Sequence, residues 1–126
     1  MKIGLQYNKA ESLHLIMNAD SSDSENEFIF DFNVFYPENE SNKFCIIFDL
    51  HIKHPGDFEL KTKYVSVFST SENIDEEFKN SAFTKINAPA IAFPFMRSFV
   101  ATITLNAGFS PAILPSINFL EFKKLP

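Results

Sequence analysis

Asp49, His51 and His54 are the residues whose types could do chemistry at close spacing. Imidazole and carboxylate groups are common ligands of divalent ions, and the same groups serve as general acids and bases. Their spacing works against both roles. Positions 51 and 54 would share a face on a helix but point to opposite faces on a strand, and the alternation around them is that of a strand. His14 lies on the even, polar side of another alternating stretch and reads as solvated. Glu11, Asp49 and Glu59 could pair as acid and base, but nothing in the sequence makes them converge. Cys45 is the only cysteine, so neither a thiolate cluster nor an internal disulfide can form. Gly4, Gly56 and Gly108 are the only glycines, too scattered for a phosphate-binding loop, and no serine sits in a sharp glycine turn. Asn39-Glu40-Ser41 matches a glycosylation sequon, which has no meaning without a signal-peptide apolar region, and residues 1–9 show none. These residues predict a protein that binds rather than catalyses, with no metal and no cofactor.

The composition agrees with burial rather than catalysis. Sixteen of the 126 residues are Phe and none is Trp. Phe brings large apolar area without a polar handle. A formal charge of −5 leaves no basic stripe for nucleic acid. Lys61 and Lys63 alternate on one face of a strand and read as solvated. The apolar run 88–96 is too short to span a bilayer and holds two prolines. A single domain over 1–126 is expected, in the cytoplasm, with a sheet over 1–70 and helices with a connecting loop over 73–125.

The elements follow from periodicity. Ile3, Leu5, Tyr7, Leu13, Leu15 and Met17 all fall on odd positions, with Lys9 and Glu11 breaking the phase. This predicts one bent strand, or two short strands joined at a bulge. Residues 18–26 hold no apolar side chain larger than alanine and read as a mobile surface loop. Three strands with period 2 follow in a meander. Phe28, Phe30, Phe32, Val34 and Tyr36 share a face of the first; Phe44, Ile46, Phe48, Leu50 and Ile52 share a face of the second. Phe58, Leu60, Thr62, Tyr64, Ser66 and Phe68 share a face of the third. One face is aromatic and the other mixed, as in an antiparallel sheet with one wetted side.

Helices follow the sheet. Residues 73–85, with Ile74, Phe78 and Phe83, predict a short amphipathic helix. The main helix is predicted next, with Asn87 as its N-cap and Pro89 in its first turn. Pro94 means either a start at about Phe93 or a kink. Gly108 is the stop signal. On a helical wheel of residues 91–107, apolar side chains cover roughly half of the circumference. A helix lying on one core needs only about a 100° stripe. Two readings follow: a deeply buried core helix, or a helix covered on one side by its sheet and on the other by a second subunit. Residues 117–125 predict one last helical turn.

The same stretch resembles the SecB protein-export chaperone family. The resemblance rests on Pro89, Ile91-Ala92, Phe93-Pro94, Phe95, Met96 and Arg97. It continues through Gly108-Phe109-Ser110-Pro111 and Pro115-Ser116-Ile117-Asn118-Phe119, with Val67-Phe68-Ser69 upstream. It implies an α+β fold: a four-stranded antiparallel sheet followed by helices packed on one face. It also implies a holdase that binds unfolded or nascent polypeptides for export. The family forms tetramers, as dimers of dimers, with the helix layer between sheets. Its acidic sheet surface docks the export motor ATPase. Here Lys61 reverses a charge at that surface, Glu59 replaces an apolar residue and Leu15 an acidic one.

Under this reading the client-binding residues are Phe28, Phe109, Ile113, Leu114 and Phe119, which flank the sheet–helix junction. The subunit contact is expected at Met96, Arg97, Val100 and Thr104, in a dimer or tetramer. The other reading of the same fold is a dedicated module that protects one partner, such as an antitoxin-like protein. A small-ligand carrier is the weakest reading, since no convergent polar group would orient a ligand.

Overall fold

The structure is a computed structural model that describes residues 1–19 and 25–122. Four strands, β1 (Ile3–Met17), β2 (Glu27–Phe35), β3 (Lys43–His54) and β4 (Phe58–Thr70), form one antiparallel sheet in the order β1-β4-β3-β2. Helices follow, so the fold is the α+β arrangement expected from the sequence. The chain therefore crosses from one sheet edge to the other between β1 and β2. Asn18 begins that crossing, its N–H donating to the Asp57 carbonyl at 3.0 Å. Most of the loop read as mobile, residues 20–24, lies outside the described residues.

The odd-position pattern of β1 is produced by two bulges. Register shifts fall between Leu5 and Tyr7 and between Ala10 and Ser12. Each extra residue turns the alternation over. Ile3, Leu5, Asn8, Ala10, Leu13 and Leu15 thus pair with the core-facing residues of β4, while Tyr7 pairs with Val67 on the opposite face. The expectation that Tyr7 shares the face of Leu5 is corrected by the first bulge. The polar groups this brings inward are satisfied: Thr62 donates to the Ser12 carbonyl at 2.7 Å, and the Ser66 hydroxyl donates to the Asn8 side chain.

Between β3 and β4, His54-Pro55-Gly56-Asp57 makes a tight turn closed by Asp57 N–H to His54 C=O at 3.0 Å. Gly56 has φ 81°, a value that side chains with a Cβ resist. The even positions of β3 from Phe44 to Ile52 are all buried and form the centre of the core. Phe44 stacks on Phe68 with ring centroids 5.0 Å apart.

The helical region is more continuous than expected. Helix α1 is a single turn, Glu76–Lys79, capped by Asp75 accepting from Phe78 N–H at 2.8 Å. A π-helical turn, Phe83–Asn87, runs directly into α2, Ala88–Asn106. Asn87 has helical backbone angles and no capping hydrogen bond, so it is not an N-cap. Pro94 sits inside α2, and the helix neither starts there nor stops. It ends at Gly108 (φ 94°), where Gly108 N–H reaches Leu105 C=O and Phe109 N–H reaches Thr104 C=O, both at 3.0 Å. The stretch Phe83–Asn106 is long and apolar enough to cross a membrane, which the run 88–96 alone is not. Ala92, Phe93, Met96, Val100 and Thr104 spend one face of it on the sheet, as in a core helix. Residues 119–121 make a turn rather than the last helical turn expected, with Asn118 accepting from Leu120 and Glu121.

Candidate functional site

The site is built on β2, an edge strand carrying more aromatic surface than one helix can cover. Phe93 from α2 meets Phe30 edge-on at 5.5 Å. The rest of the cover comes from the segment after α2. Phe119 packs on Phe32 at 5.5 Å, and Phe122 on Phe30 at 5.3 Å and Phe32 at 5.6 Å. That segment is tied back to α2 by Thr104, whose hydroxyl accepts Ala112 N–H at 2.9 Å and donates to Val100 C=O at 2.8 Å.

The cover is incomplete, and two cavities remain along β2. The larger, about 530 Å³, lies toward Val34 and Tyr36 and is walled by Ile86, Phe119, Leu120 and Phe122. Among the described residues, Lys79 and Lys85 are its only charged lining residues. Lys79 Nζ sits 5.0 Å from the Tyr36 ring centre and 3.5 Å from Glu76 Oε1. The smaller cavity, about 180 Å³, lies toward Phe28 and is walled by Ile52, His54, Ala112, Ile113 and Leu114, with Glu27 at its edge.

Three of the expected client-binding residues, Phe28, Ile113 and Leu114, come together in the smaller cavity. Phe119 lines the larger one. Phe109 lines neither; its ring lies 5.5 Å from that of Phe58. Leu114 and Phe119 are buried and form floor, whereas Phe28 and Ile113 are exposed and form rim. The sequence reading missed Val34, Tyr36, Ile86, Leu120 and Phe122. The signal for them was the surplus itself: five large side chains on one face of an edge strand require a second covering element. The spacing of Phe119 and Phe122 supplies it.

The expected subunit contact is corrected. Met96, Val100 and Thr104 have no exposed surface within the chain, because they face their own sheet. A side chain already buried there has no surface left for a second subunit. Arg97 alone of the four is exposed. The large apolar residues that α2 turns outward are Ile91, Phe95 and Leu105.

Among the described residues, the other face of the sheet carries no helix. Tyr7, Val67, Cys45 and Phe35 form one row across all four strands. Farther along, Lys63 stands opposite Asp49, Lys61 opposite His14 and His51, and Glu59 opposite Lys53. His51 Nε2 lies 2.7 Å from Glu59 Oε2, and this hydrogen bond holds the Glu59 carboxyl below its ordinary range. His51 is thus engaged with Glu59, and the His54 ring packs at a tilt against Phe58 with centroids 4.7 Å apart. Among the described residues no three His, Cys, Asp or Glu side chains group as metal ligands. Burial raises the Cys45 thiol pKa, which favours the unreactive thiol form.

Three comparisons bear on this geometry. A family model described as preprotein translocase subunit SecB matches residues 2–123. An uncharacterized protein of Methanocaldococcus jannaschii is 40% identical over 91 residues, 70% of this chain and 59% of that protein. The protein-export protein SecB of Anaplasma phagocytophilum is 43% identical over 65 residues, 49% of this chain and 40% of its own length. The matches thus cover less than two-thirds of the length of these relatives. In solved structures, the SecB-like chaperone of Mycobacterium tuberculosis, in complex with a peptide from the HigA1 antitoxin, superposes with a TM-score of 0.70 at 12% identity. That match covers 91% of this chain and 89% of the other, and shows likeness of fold.

Proposed function

The chain belongs to the SecB family, and from that premise we propose that it is a holdase for unfolded or nascent polypeptides, a binding protein acting in the cytoplasm. The observation that carries this reading is the pair of apolar cavities along β2. They are rimmed by exposed Phe28, Ile113 and Leu120 and floored by buried Leu114 and Phe119. An extended client would lay large side chains into both. A protein that binds only unfolded chains shifts their folding equilibrium by mass action. Aromatic and aliphatic walls without specific hydrogen bonds suit many clients. Phe109 takes part by holding the loop that carries Ile113 and Leu114.

The test is suppression of aggregation for several unrelated unfolding proteins, with light scattering as readout. The chain should hold them soluble near stoichiometric ratio. Replacing both Phe28 and Ile113 by Ser should remove the effect and leave the fold intact, since both side chains are exposed. Unprotected aggregation in the presence of the unaltered chain would end the proposal.

One observation favours the dedicated module. The helix-free face has Lys61 and Lys63 at its middle, where docking to an export motor would need acidic residues. The Mycobacterium tuberculosis neighbour binds an antitoxin peptide, and a single protected partner would fit this chain too. Protection of one client among many would separate the module from the general holdase. For assembly, we propose a dimer or tetramer formed through the outward stripe of α2, with Arg97 at its flank.

A further inference from the structure

We infer that the larger cavity selects among unfolded segments by charge, taking a large apolar side chain that has a carboxylate beside it in the client sequence. This rests on the holdase reading and names the class of segment that one of its two cavities prefers.

The stretch between β4 and α2 places two cations at the wall of this cavity. Lys79 closes the single turn of α1, and Lys85 lies in the π-helical turn Phe83–Asn87. Buried Thr84 ties the two turns together, its hydroxyl 3.4 Å from both the Lys79 and the Ser81 carbonyl oxygen. The rings of Phe78 and Phe83 anchor the turns to the sheet, 5.6 and 6.4 Å from that of Phe44. Packed elements therefore position both lysines.

Among the described residues, no Asp or Glu lines this cavity. Lys85 has no ion-pair partner among the described residues. Lys79 Nζ lies 5.0 Å from the centre of the Tyr36 ring, a contact that favours its place at the wall. Glu76 reaches it at 3.5 Å from a side chain that is 84% exposed. Such an exposed pair is worth little and yields to another carboxylate.

Below the lysines, Phe32, Phe119 and Phe122 offer apolar surface. A client Phe or Leu entering there removes apolar area from water. It brings a neighbouring Glu or Asp to the lysines, where partly apolar surroundings weaken the attraction less than open water does. A client Lys or Arg in the same place meets two like charges. The whole chain carries −5 and repels acidic segments at long range. A preference for them is therefore a local property of this cavity, separable from bulk charge.

The test uses three unlabelled peptides with acetylated and amidated ends, each with one central Phe between two leucines. The residues flanking that core are Glu, Gln or Lys. Binding to the full chain is read by titration calorimetry at low salt. The Glu peptide should bind about three- to tenfold more tightly than the Lys peptide, the range that two partly solvated ion pairs supply, with the Gln peptide between them. The lead should shrink in 0.5 M salt, where the screening length is about 4 Å. Replacing both Lys79 and Lys85 by Gln should abolish the lead and leave the Gln peptide's affinity unchanged, which also shows that the cavity is still formed. Equal binding of the three peptides, the reverse order that net charge gives, or a Glu lead that survives the double variant would overturn the inference and leave the holdase standing. Lysine-dependent displacement of the Gln peptide by oleate, with no Glu lead, would overturn it in favour of a small anionic lipid as occupant. No binding of any of the peptides would overturn it too, and joined to unprotected aggregation would overturn the holdase as well.

Discussion

Helix α2 turns Met96, Val100 and Thr104 to the sheet with nothing exposed, and turns Ile91, Phe95 and Leu105 outward with 45%, 47% and 57% exposed. Both faces are apolar, and only Arg97 carries a charge anywhere on the helix. The inner stripe, with Ala92, repeats every fourth residue, which brings it back to one line above the sheet. The outer stripe runs Ile91, Phe95, Ser98, Thr102, Leu105, with steps of four and three, the spacing of a helix that packs along another helix. Apolar content alone cannot tell these faces apart. Burial by the chain's own sheet can, and it divides the substitutions that should unfold the protein from those that should only change its company.

The largest effect belongs to the inner face. Val100→Asp places a carboxylate where no atom meets water. With no partner there, the cost is more than about 4 kcal/mol, a large share of the stability of a domain this size. The variant should lack a cooperative urea transition. A wild-type midpoint would mean that α2 leaves the sheet easily and that the two faces are equivalent.

A smaller inner-face effect comes from Thr104, where helix and groove meet. Thr104→Ala removes the acceptor of the Ala112 N–H, and a buried donor left without a partner costs about 1–3 kcal/mol. Hydrogen exchange at Ala112 should accelerate, and the wall formed by Ile113 and Leu114 should loosen. Thr104→Ser keeps the hydroxyl and should restore most of the protection. Unchanged exchange in the Ala variant would separate the packing of α2 from the shape of the groove.

The sheet was legible in the sequence because period 2 is enforced by burial on one face. Phe44 to Ile52 in β3 and Phe58 to Ser66 in β4 show it without interruption, before Val67 is buried on the other face. The stop at Gly108 was legible for a similar reason, since its φ of 94° suits a residue without Cβ. What escaped was set by partners distant in sequence. Whether Val100 or Phe95 faces the sheet is a matter of helix rotation, and the wheel shows only that both belong to a broad apolar surface. The bulges that turn Tyr7 away depend on the pairing of β1 with β4, more than fifty residues later in the chain. Asn87 carries a capping side chain, yet the π turn before it keeps its backbone helical, so no orphan N–H awaits it there. In the groove, Phe28, Ile113 and Leu114 could be named because they flank the sheet–helix junction that the family resemblance implies, while Phe122 gained its role only from the uncovered rings of Phe30 and Phe32.

The outer face should give the smallest change in stability and the clearest change in mass. Phe95→Asp replaces a side chain already 47% exposed, so its charge can stay in water. The unfolding free energy of the isolated chain should move by no more than about 0.5 kcal/mol. If a second copy covers this stripe, the same carboxylate would be buried at the contact without a partner, and association should fail. Light scattering should then give the mass of a single chain for Phe95→Asp and a multiple of it for the unaltered protein. The urea midpoint of the unaltered protein should also rise with concentration, and that of the variant should not, because association stabilises only the folded form. A single-chain mass for both proteins would make the outer stripe a solvent-facing surface. The difference between the two faces of α2 would then be one of burial within the chain alone, and the proposed subunit contact would have to be sought on another surface, such as the row formed by Tyr7, Val67, Cys45 and Phe35.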